Sequence, residues 1–341
     1  MPFQISIQPG GLHFSAADQT LLDAALAAGL SVPHGCRNGV CGACKGRVVH
    51  GEIDPGKPAD HALPAAEREA GQVLLCCARA RSDLVLEVPG AQAAESTAIR
   101  NFPARVQRLE RLADDVMRVE LQLPANESFR FRAGQYIDIV LADGARRSFS
   151  IANAPHVADM LELHVRKVEG GRFTAQVFST LKARDILRCE GPFGDFWLRD
   201  SAKPAVMVAT GTGFAPLKGI IEHAIHTGIQ RQISLYWSAR VPGDLYLDAL
   251  VRNWEAHRSL PGFRYVPLVT GEAPGWPGRR GRVTDAVLAD HADLSGVEVY
   301  ACGLPAMVDT ARTRFTGERK LPPDAFYADA FTFASTFTPK D

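Results

Sequence analysis

The sequence predicts a multidomain chain of mixed α+β and α/β class, and three stretches of different texture predict it. A cysteine-rich loop between a short hairpin and a closing strand marks a small α+β domain over residues 1–90. Period-two strands separated by turn residues mark an antiparallel β-barrel over 101–200. An apolar run that ends in a glycine turn and a helix opens a doubly wound parallel sheet over 201–341. Small, aperiodic residues around 91–100 read as a linker after the first domain.

Composition narrows the function classes. The 341 residues suit two or three domains. Lys+Arg and Asp+Glu balance at 38 each, so no basic field draws nucleic acid or an anionic membrane. No stretch approaches the roughly 20 apolar residues of a membrane span. The opening residues lack the charged and apolar regions of a signal peptide. The expectation is a cytoplasmic protein in a reducing environment, where seven cysteines need an account other than structural disulfides.

In the first domain, residues 2–7 and 11–15 read as a hairpin turning at Pro9-Gly10-Gly11. Asp18 to Leu30 carries a helical apolar stripe at Leu21, Leu22, Ala25 and Leu26, with Gly29 as its C-cap. Leu84–Val88 reads as the closing strand. Between them, Cys36, Cys41 and Cys44 are spaced C-x4-C-x2-C, and Cys76 follows after 31 further residues. This is the plant-type spacing for a [2Fe-2S] cluster, whose two irons take two thiolates each. A structural zinc usually shows two C-x2-C pairs or a Cys/His mixture. Gly35, Gly39, Gly42 and Gly46 suit a loop that must turn inward and bring amides to sulfur. Spacing alone leaves Cys76 and Cys77 open as fourth ligand. Modules of this kind place it just after an apolar strand, and Val73-Leu74-Leu75 leads into Cys76; Cys77 then packs as a small hydrophobe.

In the second domain, Met117, Val119, Leu121 and Leu123 alternate with polar residues, as do Leu161, Leu163 and Val165 with Glu162, His164 and Arg166. Between these strands stands Arg146-Arg147-Ser148-Phe149-Ser150. Such a strand offers a flavin a guanidinium for its pyrophosphate, an aromatic face and a hydroxyl near N5. A plain barrel strand accounts for the same residues.

Taken together, these motifs resemble the ferredoxin-NADP reductase superfamily, in the branch with an N-terminal ferredoxin domain. That branch includes phenol hydroxylase-type oxygenase reductase components and CDP-6-deoxy-glucoseen reductases. The resemblance covers nearly all of residues 3–335. It rests on the cysteine loop, Ala133-Gly134-Gln135-Tyr136, Arg147–Ser150, Leu163–Arg166 and Gly191-Pro192-Phe193-Gly194. It implies a β-grasp first domain and FAD in the barrel. Arg147 is then expected on the pyrophosphate, Phe149 beside the isoalloxazine in place of the usual Tyr, and Ser150 at N5. Gly171 and Thr174 match the phosphate loop that opens a helix. His164 and Arg166 are further flavin candidates, which a solvated strand face explains equally.

In the third domain, Ala205–Ala209 reads as a strand buried on both faces. It leads to Thr210-Gly211-Thr212-Gly213-Phe214-Ala215-Pro216 and a helix over Leu217–Ile225. Two glycines make a poor Rossmann fingerprint, but the turn matches the G-T-G-x-A-P of the superfamily. Further strands are expected at Ile233–Tyr236, Phe263–Leu268 and Val297–Ala301. The resemblance places Cys302 and Gly303, in Cys302-Gly303-Leu304-Pro305-Ala306-Met307, beside the nicotinamide C4; a buried structural cysteine is the other reading. Cys189 reads as packing. Asp329-Ala330-Phe331 resembles the terminal segment that caps the flavin face, and a core aromatic explains Phe331 as well. After the second strand Arg240 stands without a cationic cluster, which favours NADH, with NADPH possible.

The resemblance implies an NADH-dependent oxidoreductase in which FAD takes electrons in pairs and the cluster takes them singly. The expected acceptor is the dehydrase that deoxygenates CDP-sugars. The alternative is a multicomponent aromatic-ring or phenol oxygenase, and a non-catalytic redox-sensing module is a third reading.

Overall fold

Alternation in Phe3–Gln8 turns Ile5 and Ile7 to the core, and the strand pairs antiparallel with Leu12–Ala16 from Phe3↔Ala16 to Ile7↔Leu12. In this computed structural model, which describes residues 2–93, 99–125, 129–157 and 159–331, that hairpin begins a five-stranded sheet. Its order is Leu12–Ala16, Phe3–Gln8, Leu84–Glu87, Lys45–His50, Gln72–Leu74, and the pairing of Phe3–Gln8 with Leu84–Glu87 is parallel. Helix Leu21–Ala27 covers one face through Leu21, Leu22, Ala24 and Ala25. Thr20 caps it by accepting from the Asp23 amide. The chain divides into two compact units: residues up to Ile99 with Pro192–Asp195, and Arg100–Gly191 with the residues from Phe196 onward. The expected linker begins as a strand, because Gln92–Ala93 pairs with Leu30–Ser31 in the first unit. Residues 94–98 of that linker lie outside the described residues.

In the second unit, a six-stranded antiparallel sheet runs Arg146–Ser150, Tyr136–Val140, Ile186–Phe193, Arg100–Ala113, Val116–Gln122, Met160–Arg166. Its two edge strands meet at an Ile151–Leu163 bridge, and the Ala152 amide donates to the Glu162 carbonyl at 2.7 Å. Leu161, Leu163, Val165, Val119 and Leu121 fill the interior, as their alternation requires. The 14-residue strand Arg100–Ala113 is not evident from the sequence, because charged residues crowd its outward face.

A parallel sheet follows, ordered Arg279–Arg280, Phe263–Val269, Ile233–Ala239, Ala205–Thr210, Glu298–Gly303, Phe326–Ala330. Its central strands are buried on both faces, which is why they read as continuous apolar runs. Helix Phe214–Thr227 starts directly after the glycine turn and ends on Gly228 in left-handed conformation. Among the described residues, no helix is long and apolar enough to cross a membrane.

Candidate functional site

The cysteine loop is held by its own backbone. Gly39 and Gly42 take φ of 82° and 72°, and Arg37 is the non-glycine residue that joins them at 57°. A methyl on Gly39 would lie 2.5 Å from the Cys77 sulfur, so the turn has neither dihedral freedom nor room for a side chain. The Val40 and Cys41 amides point at the Cys36 sulfur at 3.4 and 3.3 Å, and the Cys36 amide at the Cys41 sulfur at 3.4 Å. Gly46 is extended instead, allowing the Val88 side chain and the Glu87 carbonyl to approach.

The thiols form two hydrogen-bonded pairs, Cys36 with Cys41 and Cys44 with Cys76, and Cys76 also bonds Cys77. A backbone bond from Leu75 to the Cys44 carbonyl brings the second pair together. The hydrogen bond from Cys41 and the surrounding amides lower the Cys36 thiol to about 6 against burial. Two pairs of sulfurs, the first with amides aimed at it, fit a [2Fe-2S] cluster. Cys76 is buried, whereas Cys77 is half-buried against the core with its sulfur 3.9 Å away.

In the second unit several predicted residues converge. The Ser150 hydroxyl donates to Asp329 Oδ2 at 3.4 Å. Asp329 stands in register with Cys302, and Cys302 with Ala209 at the mouth of the glycine turn. The Leu304 amide donates to the Thr210 hydroxyl at 3.2 Å. The Phe331 amide donates to the Gly303 carbonyl at 2.8 Å, which pins the terminal segment to the same turn. Gly213 lies against the Cys302 carbonyl with no space for a methyl. Burial holds the Cys302 thiol protonated, and the nearby Asp329 carboxylate adds to this. One hydroxyl, one neutral thiol and one carboxylate thus border a turn whose amides can take a phosphate.

Arg147 and Phe149 share one face of their strand, half-buried. The guanidinium touches the Arg146 carbonyl at 2.7 Å and the ring lies 5.3 Å from Phe173. Helix Arg172–Ser179 begins at Gly171 without a side-chain cap, and the Thr174 hydroxyl folds back on the Gly171 and Val168 carbonyls at 3.1 and 3.3 Å. A cation, an aromatic face, a hydroxyl and a helix start on one barrel fit FAD. Cys189 is buried, its thiol pushed up to about 12 by burial. Arg240 is exposed at the end of Ile233–Ala239.

Two further candidates are held by contacts within the protein. His164 is not on a solvated face. Its ring is buried, with Nε2 2.7 Å from Glu162 Oε1 and Nδ1 3.0 Å from the Tyr246 hydroxyl. Arg166 bonds Asp115 at 2.7 Å through Nε, and a methyl on Gly211 would lie 2.5 Å from its Nη1. It therefore lies over the nicotinamide turn. Trp237, a further contact to that turn, donates from its indole to the Gly211 carbonyl at 2.9 Å and stacks on Phe214 at 4.1 Å. An apolar strand residue gives no sequence signal for such a role.

Residues 5–81 match the model of the 2Fe-2S iron-sulfur cluster binding domain, 103–197 the oxidoreductase FAD-binding domain, and 207–313 the oxidoreductase NAD-binding domain. The chain is 37% identical over 332 residues to the CDP-6-deoxy-L-threo-D-glycero-4-hexulose-3-dehydrase reductase of Yersinia pestis, covering 97% of this chain and 99% of that protein. It is 39% identical over 342 residues to reductase component 2 of terephthalate 1,2-dioxygenase from Comamonas sp., covering 98% and 99%. The crystal structure of an Amycolatopsis cytochrome P450 reductase superposes with a TM-score of 0.83 at 36% identity, covering 97% of this chain and 99% of that one. The chain belongs to the iron–sulfur flavoprotein reductases of the ferredoxin-NADP reductase superfamily, NADH-dependent oxidoreductases with a [2Fe-2S] domain, an FAD domain and an NAD domain on one polypeptide.

Proposed function

We propose that this reductase passes electrons to the dehydrase that deoxygenates CDP-6-deoxy-hexuloses. The observation that carries the redox role is the meeting of Ser150, Asp329 and Cys302 at the glycine turn, in one chain with the paired thiols. The acceptor rests on the likeness to the Yersinia dehydrase reductase. The terephthalate dioxygenase component supports a second reading, with an aromatic oxygenase as acceptor.

When bound, FAD takes a hydride from the nicotinamide and yields electrons singly to the cluster. In this reading, the Ser150 hydroxyl turns its one proton from Asp329 to the flavin edge when FAD is bound. Cys302 packs as a neutral, apolar wall that excludes water where the nicotinamide lies. Gly211, Thr212 and Gly213 seat the dinucleotide, and Gly303 and Phe331 border it. Arg147, Phe149, Gly171 and Thr174 hold FAD, and Cys36, Cys41, Cys44 and Cys76 ligate the irons. Arg240 alone supplies one cation where a 2′-phosphate would need a cluster, so NADH is the donor and NADPH a weaker one. The balanced charge fits a cytoplasmic protein with protein and nucleotide partners rather than nucleic acid.

The test is anaerobic. The holoprotein is reduced with one equivalent of NADH, then mixed with the dehydrase and its CDP-sugar. Reoxidation that requires both supports the dehydrase reading. A spectrum that stays bleached there, but recovers with an aromatic oxygenase, its substrate and oxygen, replaces it with the second.

A further inference from the structure

The polar face of strand Met160–Arg166 carries three ionisable residues, and two of them are buried. Glu162 is 8% exposed and His164 5%. What covers that face is the nicotinamide half of the second unit. From helix Phe214–Thr227, Lys218 reaches Glu162 Oε2 at 3.3 Å, Glu222 Oε1 at 2.9 Å and the Ala152 carbonyl at 3.0 Å. An ammonium has three donors, and these three acceptors match them. Arg118 Nε lies 3.3 Å from Glu162 Oε1. Glu162, held as a carboxylate, can only accept, so the neutral imidazole of His164 donates to it from Nε2, and Nδ1 accepts from the Tyr246 hydroxyl on the other side. One residue after Lys218, a methyl on Gly219 would lie 2.9 Å from the Asn153 carbonyl and 3.2 Å from that of Ile151.

We infer that Lys218, Glu162, His164 and Tyr246 form a positioning belt that sets the distance between the nicotinamide turn and the flavin edge. The connectivity gives the reason. Ala152, the carbonyl Lys218 holds, is two residues from Ser150, and the helix carrying Lys218 is the one that the turn Gly211–Gly213 opens. A shift of that helix therefore moves the dinucleotide site relative to N5. Hydride transfer needs reacting atoms about 3–3.5 Å apart, and an error of about 1 Å can cost roughly a hundredfold. Glu222 moves with the helix, so a partial withdrawal strips Lys218 of its Glu162 and Ala152 acceptors and leaves their donors unpaired away from water. The Tyr246–His164 bond fixes a second point on the nicotinamide half, outside that helix, so rotation of the half about Lys218 is resisted as well. The belt is a positioning device: it rests on the hydride-transfer reading but touches no reacting atom.

The test uses K218M and Y246F in the full chain, with FAD and iron content measured first. Without nicotinamide, hydrogen exchange is followed in residues 150–164 and 214–227. With NADH under anaerobic conditions, the charge-transfer absorbance and the rate of flavin bleaching are recorded. We expect faster exchange in both segments, loss of the charge-transfer band, and transfer slowed roughly tenfold to a hundredfold in K218M, with NADH affinity changed less than threefold. Y246F, which removes one hydroxyl, gives the same pattern more weakly and remains foldable if K218M does not. Altered exchange with an unchanged band and rate would reduce the belt to a stabilising role and overturn the inference. If NADH bleaches the flavin of neither variant nor wild type, the hydride-transfer reading itself fails.

Discussion

At the residue scale the account turns on a few side chains with separable jobs. Cys76→Ala should abolish the visible and paramagnetic signature of the cluster while FAD is retained, and Cys77→Ala should keep it, because Cys76 bonds Cys44 and is the more buried of the two. Iron content and electron paramagnetic resonance decide this; a cluster lost in Cys77→Ala alone would exchange the two assignments. Ser150→Ala should slow NADH-to-flavin transfer roughly tenfold to a hundredfold without changing cluster spectra, as measured by anaerobic stopped flow. Glu162 carries a pH dependence. Burial raises its pKa, but the His164 hydrogen bond and the Lys218 and Arg118 charges lower it from 4.5 to about 2. A depressed carboxyl stabilises the fold fully above its unfolded pKa and loses that contribution as protons bind the unfolded chain. The melting-temperature difference between wild type and Glu162→Gln should therefore be constant above about pH 5 and shrink as pH falls from 4.5 towards 2. A difference that stays level through that range would contradict the ion-pair assignment.

At the level of elements, the glycines mark where backbone must meet backbone. Gly219→Ala should push helix Phe214–Thr227 off the Ile151–Asn153 segment, lowering the melting temperature and slowing hydride transfer together. Gly39→Ala, with φ at 82° and the Cys77 sulfur in the way, should cost about 1–2 kcal/mol in the turn and reduce cluster loading. Denaturant melts and iron-to-protein ratios check the pair, and wild-type values in both would refute the close contacts. Most elements are legible in the sequence. Continuous apolar runs are legible as parallel strands, the 3.6-residue stripe at Leu21–Leu26 as a helix, and C-x4-C-x2-C as a ligand loop, because each follows from local periodicity or spacing. What is illegible is set by distant parts of the chain. Alternation in Leu161–Arg166 says which face meets the barrel core, but not that the other is covered by Lys218 and Tyr246. Arg166 lies over a turn 45 positions along the chain at Gly211, and Trp237 supports the same turn. Neither contact leaves a pattern in its own segment.

For the whole molecule, the architecture is a converter. The second unit carries the FAD and NAD domains, and the first carries the [2Fe-2S] domain. Each part alone has a simpler use, but their presence on one chain makes sense only if electrons enter in pairs and leave singly. The order of events is then fixed by chemistry: a hydride cannot enter a cluster that carries one electron, so the flavin must be reduced first. The direct test mixes the holoprotein and an FAD-stripped, cluster-loaded preparation with NADH anaerobically, following flavin absorbance and, after rapid freezing, the paramagnetic signal of the reduced cluster. The account predicts flavin bleaching followed by cluster reduction in the holoprotein, and a cluster that stays oxidised when FAD is missing. Cluster reduction by NADH without FAD, or a flavin that NADH leaves oxidised, would contradict it.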